Sequence, residues 1–206
     1  ASQISGIEDN SMLAQFTGHL HADVNLYENF IDLFGVKFAS PLSNSGRSFY
    51  KYFLVDSTNA EGRKTYKIRF HPKSVATPVL DGEVNIDSAS YALRSARVKM
   101  AKGVNVNWIR HLAIEIDNRL TADSLWFPQR EKMTADFTLT KSESSKMLAF
   151  LGSREVTYSD VKFDTPIPKH ILGTSASVVL SDDAISGKRV EWDSLRPYAL
   201  SQKEKT

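Results

Sequence analysis

The chain has 206 residues and no cysteine, which excludes disulfides, thiolate metal sites and cysteine nucleophiles. Hydrophobic residues make up 41%, with 11 Phe, 7 Tyr and 3 Trp, enough for one buried core and too many for wholesale disorder. The 26 basic and 24 acidic residues nearly cancel to a formal +2 and alternate along the chain, so no charged arm for nucleic acid or a membrane surface is present.

The first periodic segment runs from Gln15 to Leu26. Phe16, Leu20, Ala22, Val24 and Leu26 alternate with Thr17, His19, His21, Asp23 and Asn25, which predicts a half-buried strand with one wet face. Tyr27 to Phe38 is denser in apolar residues and contains Gly35. It reads as a bent continuation of that strand or as a helical turn. Ser40-Pro41 punctuates it, and Leu42 to Arg47 reads as a loop or a single turn.

Phe49 to Val55 is the next predicted strand, followed by a turn-rich loop from Asp56 to Gly62. In Thr65 to His71, Tyr66, Ile68 and Phe70 point one way, and Lys67, Arg69 and His71 the other. Pro72 ends the run. Leu80 to Asp87 sends Val84 and Ile86 inward and Glu83, Asn85 and Asp87 outward, and Asp-Ser-Ala-Ser then forms a hairpin turn. Beyond the turn the phase changes. Tyr91 and Leu93 share one parity, and Ala96, Val98 and Met100 share the other. One extra residue near Arg94-Ser95 restores the inward face, which is what a β-bulge does. Because bulges bend sheets, strong curvature is expected.

Gly103 breaks the chain, and Asn105 to Ile109 is expected to make a short helical turn. Leu112, Ile114 and Ile116 alternate with Ala113, Glu115 and Asp117 in a further strand. Another begins at Trp126 and continues through Met133, Ala135, Phe137 and Leu139. After a polar break at Lys141 to Lys146, Leu148 to Phe163 reads as a last strand or pair. The pattern decays past Pro166. Residues 1–165 are therefore expected to form a curved antiparallel β-domain, with 166–206 an extension ordered only where Val190, Trp192 or Leu195 docks. About seven to nine strands at meander spacing, with few short helices, give a mainly β fold: a curved open antiparallel sheet or half-barrel rather than a flat sandwich.

Chemistry is harder to find. His19 and His21 share a strand face, but structural zinc needs roughly four converging ligands and no others can be placed there, so no metal site and no cofactor are assigned. Glu115 and Asp117 also share a face, at a spacing that suits a glycoside-hydrolysing pair and suits a solvated strand equally well. No G-x-S-x-G elbow, P-loop or G-x-G-x-x-G turn occurs, and no catalytic residue is assigned. Lys67, Arg69 and His71 make a basic face near aromatic residues, yet the near-neutral balance argues against nucleic acid. The aromatics are the better lead. Phe49, Tyr50, Tyr52, Phe53, Trp108, Trp126 and Phe127 exceed what a thin core needs. Phe49, Tyr50, Tyr52, Trp108 and Trp126 are the candidate ligand-binding residues, lining a concave face for an apolar ligand, unless a helix or the N-terminal segment plugs that face.

A string of segments supports a resemblance: SPLSNSGRSFYKYFLVDS from Ser40, YKIRFHPK from Tyr66, G-E-V-N-I-D-x-x-x-Y-A-L-R-S from Gly82, N-V-N-W-I-R from Asn105, L-W-F-P-Q from Leu125 and E-W-D-S-L-R-P from Glu191. Together they resemble a Gram-negative outer-membrane family of carboxypeptidase-regulatory-like-domain proteins that carry a domain of unknown function. The resemblance implies an N-terminal sandwich before this segment, a transmembrane β-barrel after it, and a location on the periplasmic face of the outer membrane. The start at ASQISGIEDN, neither a signal peptide nor an initiator Met, fits the expectation of an excised periplasmic portion. Tyr66 to Met100 is also similar to lipoprotein-carrier (LolA/LolB-like) half-barrels, which implies a lipid-holding concave face. The expected function is a non-catalytic, monomeric periplasmic module that binds a lipid, lipoprotein or other apolar ligand, or docks on its own sandwich and barrel. A hydrolase of glycans or peptides and a structural spacer are the alternatives.

Overall fold

In the computed structural model, residues 20, 24–60, 62–106, 109–139, 148–159, 161–163 and 166 are described below. The chain divides into two compact units, Ala1–Tyr158 and Ser159–Thr206; the strands among the described residues belong to the first.

Two antiparallel sheets make up that unit. Strands β1 (Phe30–Leu33) and β2 (Val36–Ala39) form a small hairpin. A single helical turn, α1 (Gly46–Phe49), leads into a seven-stranded meander. Its strands are β3 (Tyr50–Ala60), β4 (Arg63–Pro72), β5 (Leu80–Asp87), β6 (Leu93–Met100), β7 (Ile109–Leu120), β8 (Trp126–Leu139) and β9 (Leu148–Thr157). Each pairs with its sequence neighbour, and β3 and β9 are the edges, so the sheet is open and does not close into a barrel among the described residues. The mainly β, open antiparallel architecture agrees with the sequence reading.

The extra residue near Arg94-Ser95 is real. Asn85 pairs with Ser95 and Ile86 with Leu93, leaving Arg94 as the bulged residue. Further bulges fall at Val55, Arg110 and Gln129. Each adds local twist and bend. At Gly82 the strands come so close that a Cβ would lie 2.2 Å from the Arg97 carbonyl oxygen, so only glycine fits there.

Several expectations need correction. The strand predicted over Gln15–Leu26 is not seen where that segment is described: Leu20 is helical and Val24–Leu26 are irregular or turn. Tyr27–Phe38 is neither a continuation nor a helical turn, because it holds the β1–β2 hairpin. Phe34 and Gly35 both take positive φ (57° and 74°), the two-residue turn whose twist matches a hairpin, and Asp32 Oδ1 accepts the Gly35 N–H at 3.1 Å. The loop predicted from Asp56 is instead the continuation of β3 to Ala60, since an exposed edge strand tolerates polar residues on both faces. Tyr91 belongs to the turn before β6 and stands 74% exposed at φ 57°. Asp87, read as outward, is completely buried.

One face of the large sheet carries the core. Phe70, Val84, Ala96, Val98, Ile114, Ile116, Met133 and Ala135 occupy register-matched positions on it. The hairpin packs into the same core through Ile31, Leu33 and Phe38, joined by Leu26 just before it. Burying each of those side chains contributes roughly 1.5–3 kcal/mol. Phe34 meets Phe137 edge to face at 5.5 Å, and the Tyr27 hydroxyl accepts the Leu93 N–H at 2.7 Å. Tyr50 joins three elements: its hydroxyl donates to the Ala39 carbonyl (2.5 Å) at the end of β2 and accepts the Leu80 N–H (3.0 Å) at the start of β5. Most of the apolar face is thus covered by the chain's own β1–β2 hairpin.

The other face is a lattice of charge whose sign alternates strand by strand. Lys67 on β4 meets Glu83 on β5 (2.9 Å), and His71 meets Asp81 (2.8 Å). Arg97 on β6 takes Asp117 on β7 (2.7 Å), and Arg130 on β8 bridges Glu115 (3.1 Å) and Asp117 (3.3 Å) to Glu155 on β9 (2.6 Å). The hydrogen bond to Glu155, and then that to Glu115, pushes the Arg130 guanidinium above its ordinary value. Cross-strand pairs of opposite charge favour this register over its neighbours.

Candidate ligand clefts at one rim of the sheet

Because the meander reverses at every strand, the β3–β4, β5–β6 and β7–β8 turns all fall at the same end of the sheet. Asp87 builds the middle one. Its carboxylate accepts the N–H groups of Ala89 (3.2 Å) and Ser90 (2.8 Å) and the Ser90 hydroxyl (2.7 Å). It also receives a two-pronged pair from Arg63 Nε and Nη2 (2.8 and 2.9 Å). Arg63, then Ser90, hold this carboxyl well below the usual carboxylate range despite its burial.

Trp126, the first residue of β8, closes a ring of interactions around that acid. Its indole N–H donates to Ser90 Oγ (2.9 Å), Ser90 donates to Asp87, Asp87 binds Arg63, and the Arg63 guanidinium lies over the Trp126 ring, 5.9 Å from its centroid. A large aromatic side chain at an open rim is therefore held in one orientation.

A cleft lies on each side of this residue. On the charged face a space of about 680 Å³ is lined by Trp126, Thr58, Asn85, Arg94, Arg119 and Gln129, among others. On the apolar face, where the hairpin leaves the sheet uncovered, a space of about 440 Å³ is lined by Leu26, Tyr27, Leu93, Ile116, Trp126 and Pro128. Asn118 borders both. Its side-chain nitrogen donates to the Leu93 carbonyl at 2.8 Å, while its Oδ1 is buried with no hydrogen-bond partner among the described residues. A buried acceptor left unpaired is uncommon, because the group has given up its water without compensation.

Residues 1–149 match the family of unknown function DUF5686. The chain belongs to that family. No curated protein and no solved structure matches it significantly. The family carries no assigned activity, so the chemistry has to be read from the residues of this domain.

The aromatic residues singled out from the sequence separate into two places. Phe49, Tyr50 and Tyr52 gather where β3 begins, at the rim opposite Trp126. Phe49 packs edge to face on Phe30 (6.2 Å) and Tyr50 on Phe70 (5.3 Å). Burial pushes the Tyr50 hydroxyl up to about 12, and Tyr52 donates its hydroxyl to the Pro41 carbonyl at 2.7 Å. Trp126 stands at both clefts described above. Trp108, like His19 and His21, lies outside the described residues. Glu115 and Asp117 sit side by side in the charged lattice, both engaged by Arg97 and Arg130. Asn118 and Arg119 were missed from the sequence. Their only signal was the tripeptide after the last inward isoleucine of β7, and its meaning depends on the Gln129 bulge across from it.

Proposed function

We propose that this domain is a non-catalytic module on the periplasmic face of an outer-membrane protein, and that it holds one apolar or amphiphilic ligand, such as a lipid or a lipoprotein chain, in the cleft between Trp126 and the Val24–Tyr27 segment that precedes the hairpin. The observation that carries this reading is the place where the apolar face remains open. The hairpin fills most of it, and what is left is a cleft of about 440 Å³ walled by Leu26, Leu93, Ile116 and Pro128 together with Asn25 and Glu131, with a fixed indole and a buried Asn118 acceptor that is unpaired among the described residues. Concave, mostly apolar sites of this size with a few polar groups are the usual form of a small-ligand pocket. The volume suits one apolar chain better than a whole two-chain lipid. Outer-membrane location and a neighbouring sandwich and barrel come from the resemblance in the sequence and belong to the proposal.

Native mass spectrometry after incubation with a lipid extract tests it. One retained apolar mass per chain is expected, and Trp126→Ala is expected to lose most of it without change in the unfolding temperature. A chain that retains no lipid, or retains it equally in both proteins, contradicts the reading.

A second reading, docking, is favoured by the β3 edge. Phe53, Leu54 and Val55 are 51%, 67% and 56% exposed on an edge strand, where unpaired backbone groups accompany them. Docking through this edge leaves the Trp126 cleft free, so the two readings are compatible.

A further inference from the structure

The outer edge of β3 has no strand partner among the described residues, and its middle carries neither charge nor proline. Tyr52, Phe53, Leu54 and Val55 are exposed side by side, with Lys51 before them and Asp56 after. We propose that this edge is the interface of a symmetric dimer, in which β3 pairs antiparallel with β3 of a second copy and one sheet runs through both. The dimer rests on the docking reading of this edge and gives it an occupant, in place of the monomer expected from the sequence. An apolar run on an unpaired edge is a template for another strand, because its outward N–H and C=O groups have no strand to bond. The opposite edge is built differently, since Gly152, Arg154 and Glu155 interrupt the middle of β9.

Charge complementarity selects a second copy as the partner, and the bulge in β3 makes it possible. Laid antiparallel on itself, the run K-Y-F-L-V-D from Lys51 sets a lysine against an aspartate at both ends. In a regular strand, residues five apart face opposite sides of the sheet, so these two could not meet. Here Val55 is the extra residue. Leu54 pairs with Ile68 and Asp56 with Lys67, so Leu54 and Val55 together occupy one position. Lys51 lies opposite His71 and Asp56 opposite Lys67, and both therefore stand on the charged face. A twofold axis through Phe53, perpendicular to the sheet, then brings Lys51 of each copy opposite Asp56 of the other. The same axis sets Phe53 against Phe53, and Tyr52 against Leu54 on the apolar face. Neither Lys51 nor Asp56 has an ion-pair partner among the described residues, and Asp56 Oδ1 accepts the Ser57 N–H at 2.7 Å. The Phe53 ring meets His71 edge to face at 6.1 Å on the charged face. Cross-strand aromatic pairs and opposite-charge pairs are the contacts that stabilise adjoining strands. An isologous contact of this kind closes at two copies.

Sedimentation equilibrium of the whole chain and its charge variants tests the dimer. Reversible association to twice the 23.1 kDa of the chain is expected, with no growth beyond it. Lys51→Asp alone is expected to weaken it about tenfold or more, because both facing pairs turn from attraction to repulsion. Lys51→Asp combined with Asp56→Lys is expected to restore most of the association. Leu54→Lys puts a charge at an exposed position in the middle of the edge, and is expected to leave a monomer with the unfolding temperature of the unassociated chain. A chain that stays monomeric up to about 1 mM overturns the dimer, and leaves docking of this edge on a different partner standing. A dimer that keeps its strength in Leu54→Lys overturns the dimer interface and the docking reading together, because the copies then meet through another surface. Association that the double exchange does not recover, or that grows past two copies, overturns the proposed pairing.

Discussion

On one face of the seven-stranded sheet, Lys and Arg of β4, β6 and β8 stand against Asp and Glu of β5, β7 and β9. On the other, Phe70, Val84, Val98, Ile114 and Met133 lie beneath the β1–β2 hairpin. Both faces specify register, but through different energies. The charged face does so with half-exposed pairs, each stabilising by about 1 kcal/mol or less and weakened by salt. The apolar face does so by burial and close packing, where a single missing or added carbon is felt. Stability should therefore reside almost entirely on the hairpin side, and the charged side should select among alternatives while remaining free to change. The two faces meet at the Trp126 rim, where the proposed apolar ligand lies.

The largest effect should come from Gly82→Ala. Its Cβ would fall 2.2 Å from the Arg97 carbonyl oxygen and 2.8 Å from the Val98 Cα, both of them backbone atoms that cannot swing aside. A loss above about 4 kcal/mol is expected in denaturant unfolding, or failure to accumulate folded protein. A loss below about 1 kcal/mol would show that β5 and β6 are not so closely apposed.

The middle effect is on pH dependence. Because Arg63 lowers the Asp87 carboxyl in the folded state, its contribution is present above the unfolded carboxylate value, about 4, and is lost as pH falls below it. Tyr50 works at the other end. Its raised value means that its contribution is present below about 10 and declines as pH rises toward the folded value of about 12. Unfolding midpoints measured from pH 2 to 11 should fall at both limbs. Asp87→Asn should be less stable at neutral pH and flatten the acid limb, and Tyr50→Phe should flatten the alkaline limb.

The smallest effect belongs to the charged lattice. Glu115→Gln removes an acceptor from Arg97 and Arg130 on the exposed face. A loss of about 0.2–1 kcal/mol is expected at low salt, shrinking toward zero in about 1 M NaCl. A larger, salt-insensitive loss would mean that the lattice carries stability of its own.

Much of this contrast was legible in the sequence. Strict alternation from Tyr66 to Phe70 and from Leu112 to Ile116 gives the two faces directly, and the break in phase between Leu93 and Ala96 marks the Arg94 bulge. The hairpin was not legible, because Phe34 occupies a left-handed turn position where Gly, Asn or Asp is the usual signal. Nor was the full length of β3, since Asp56 to Asn59 reads as a turn until an edge position explains why polar residues are tolerated there. Of the site, Trp126 was found from its residue type alone. The Arg63, Asp87 and Ser90 support beneath it comes from three different strand ends and turns, a juxtaposition that only the register supplies.

The central claim is that the N-terminal hairpin is a permanent part of the core rather than a plug that leaves. Native-state hydrogen exchange of the Phe30–Ala39 amides tests it most directly. Those amides with internal hydrogen bonds should exchange only through global unfolding, with the same free energy and denaturant dependence as the central strands β5–β7. Exchange of the hairpin at a much lower free energy, with β5–β7 still protected, would contradict the account and make the apolar face an openable one.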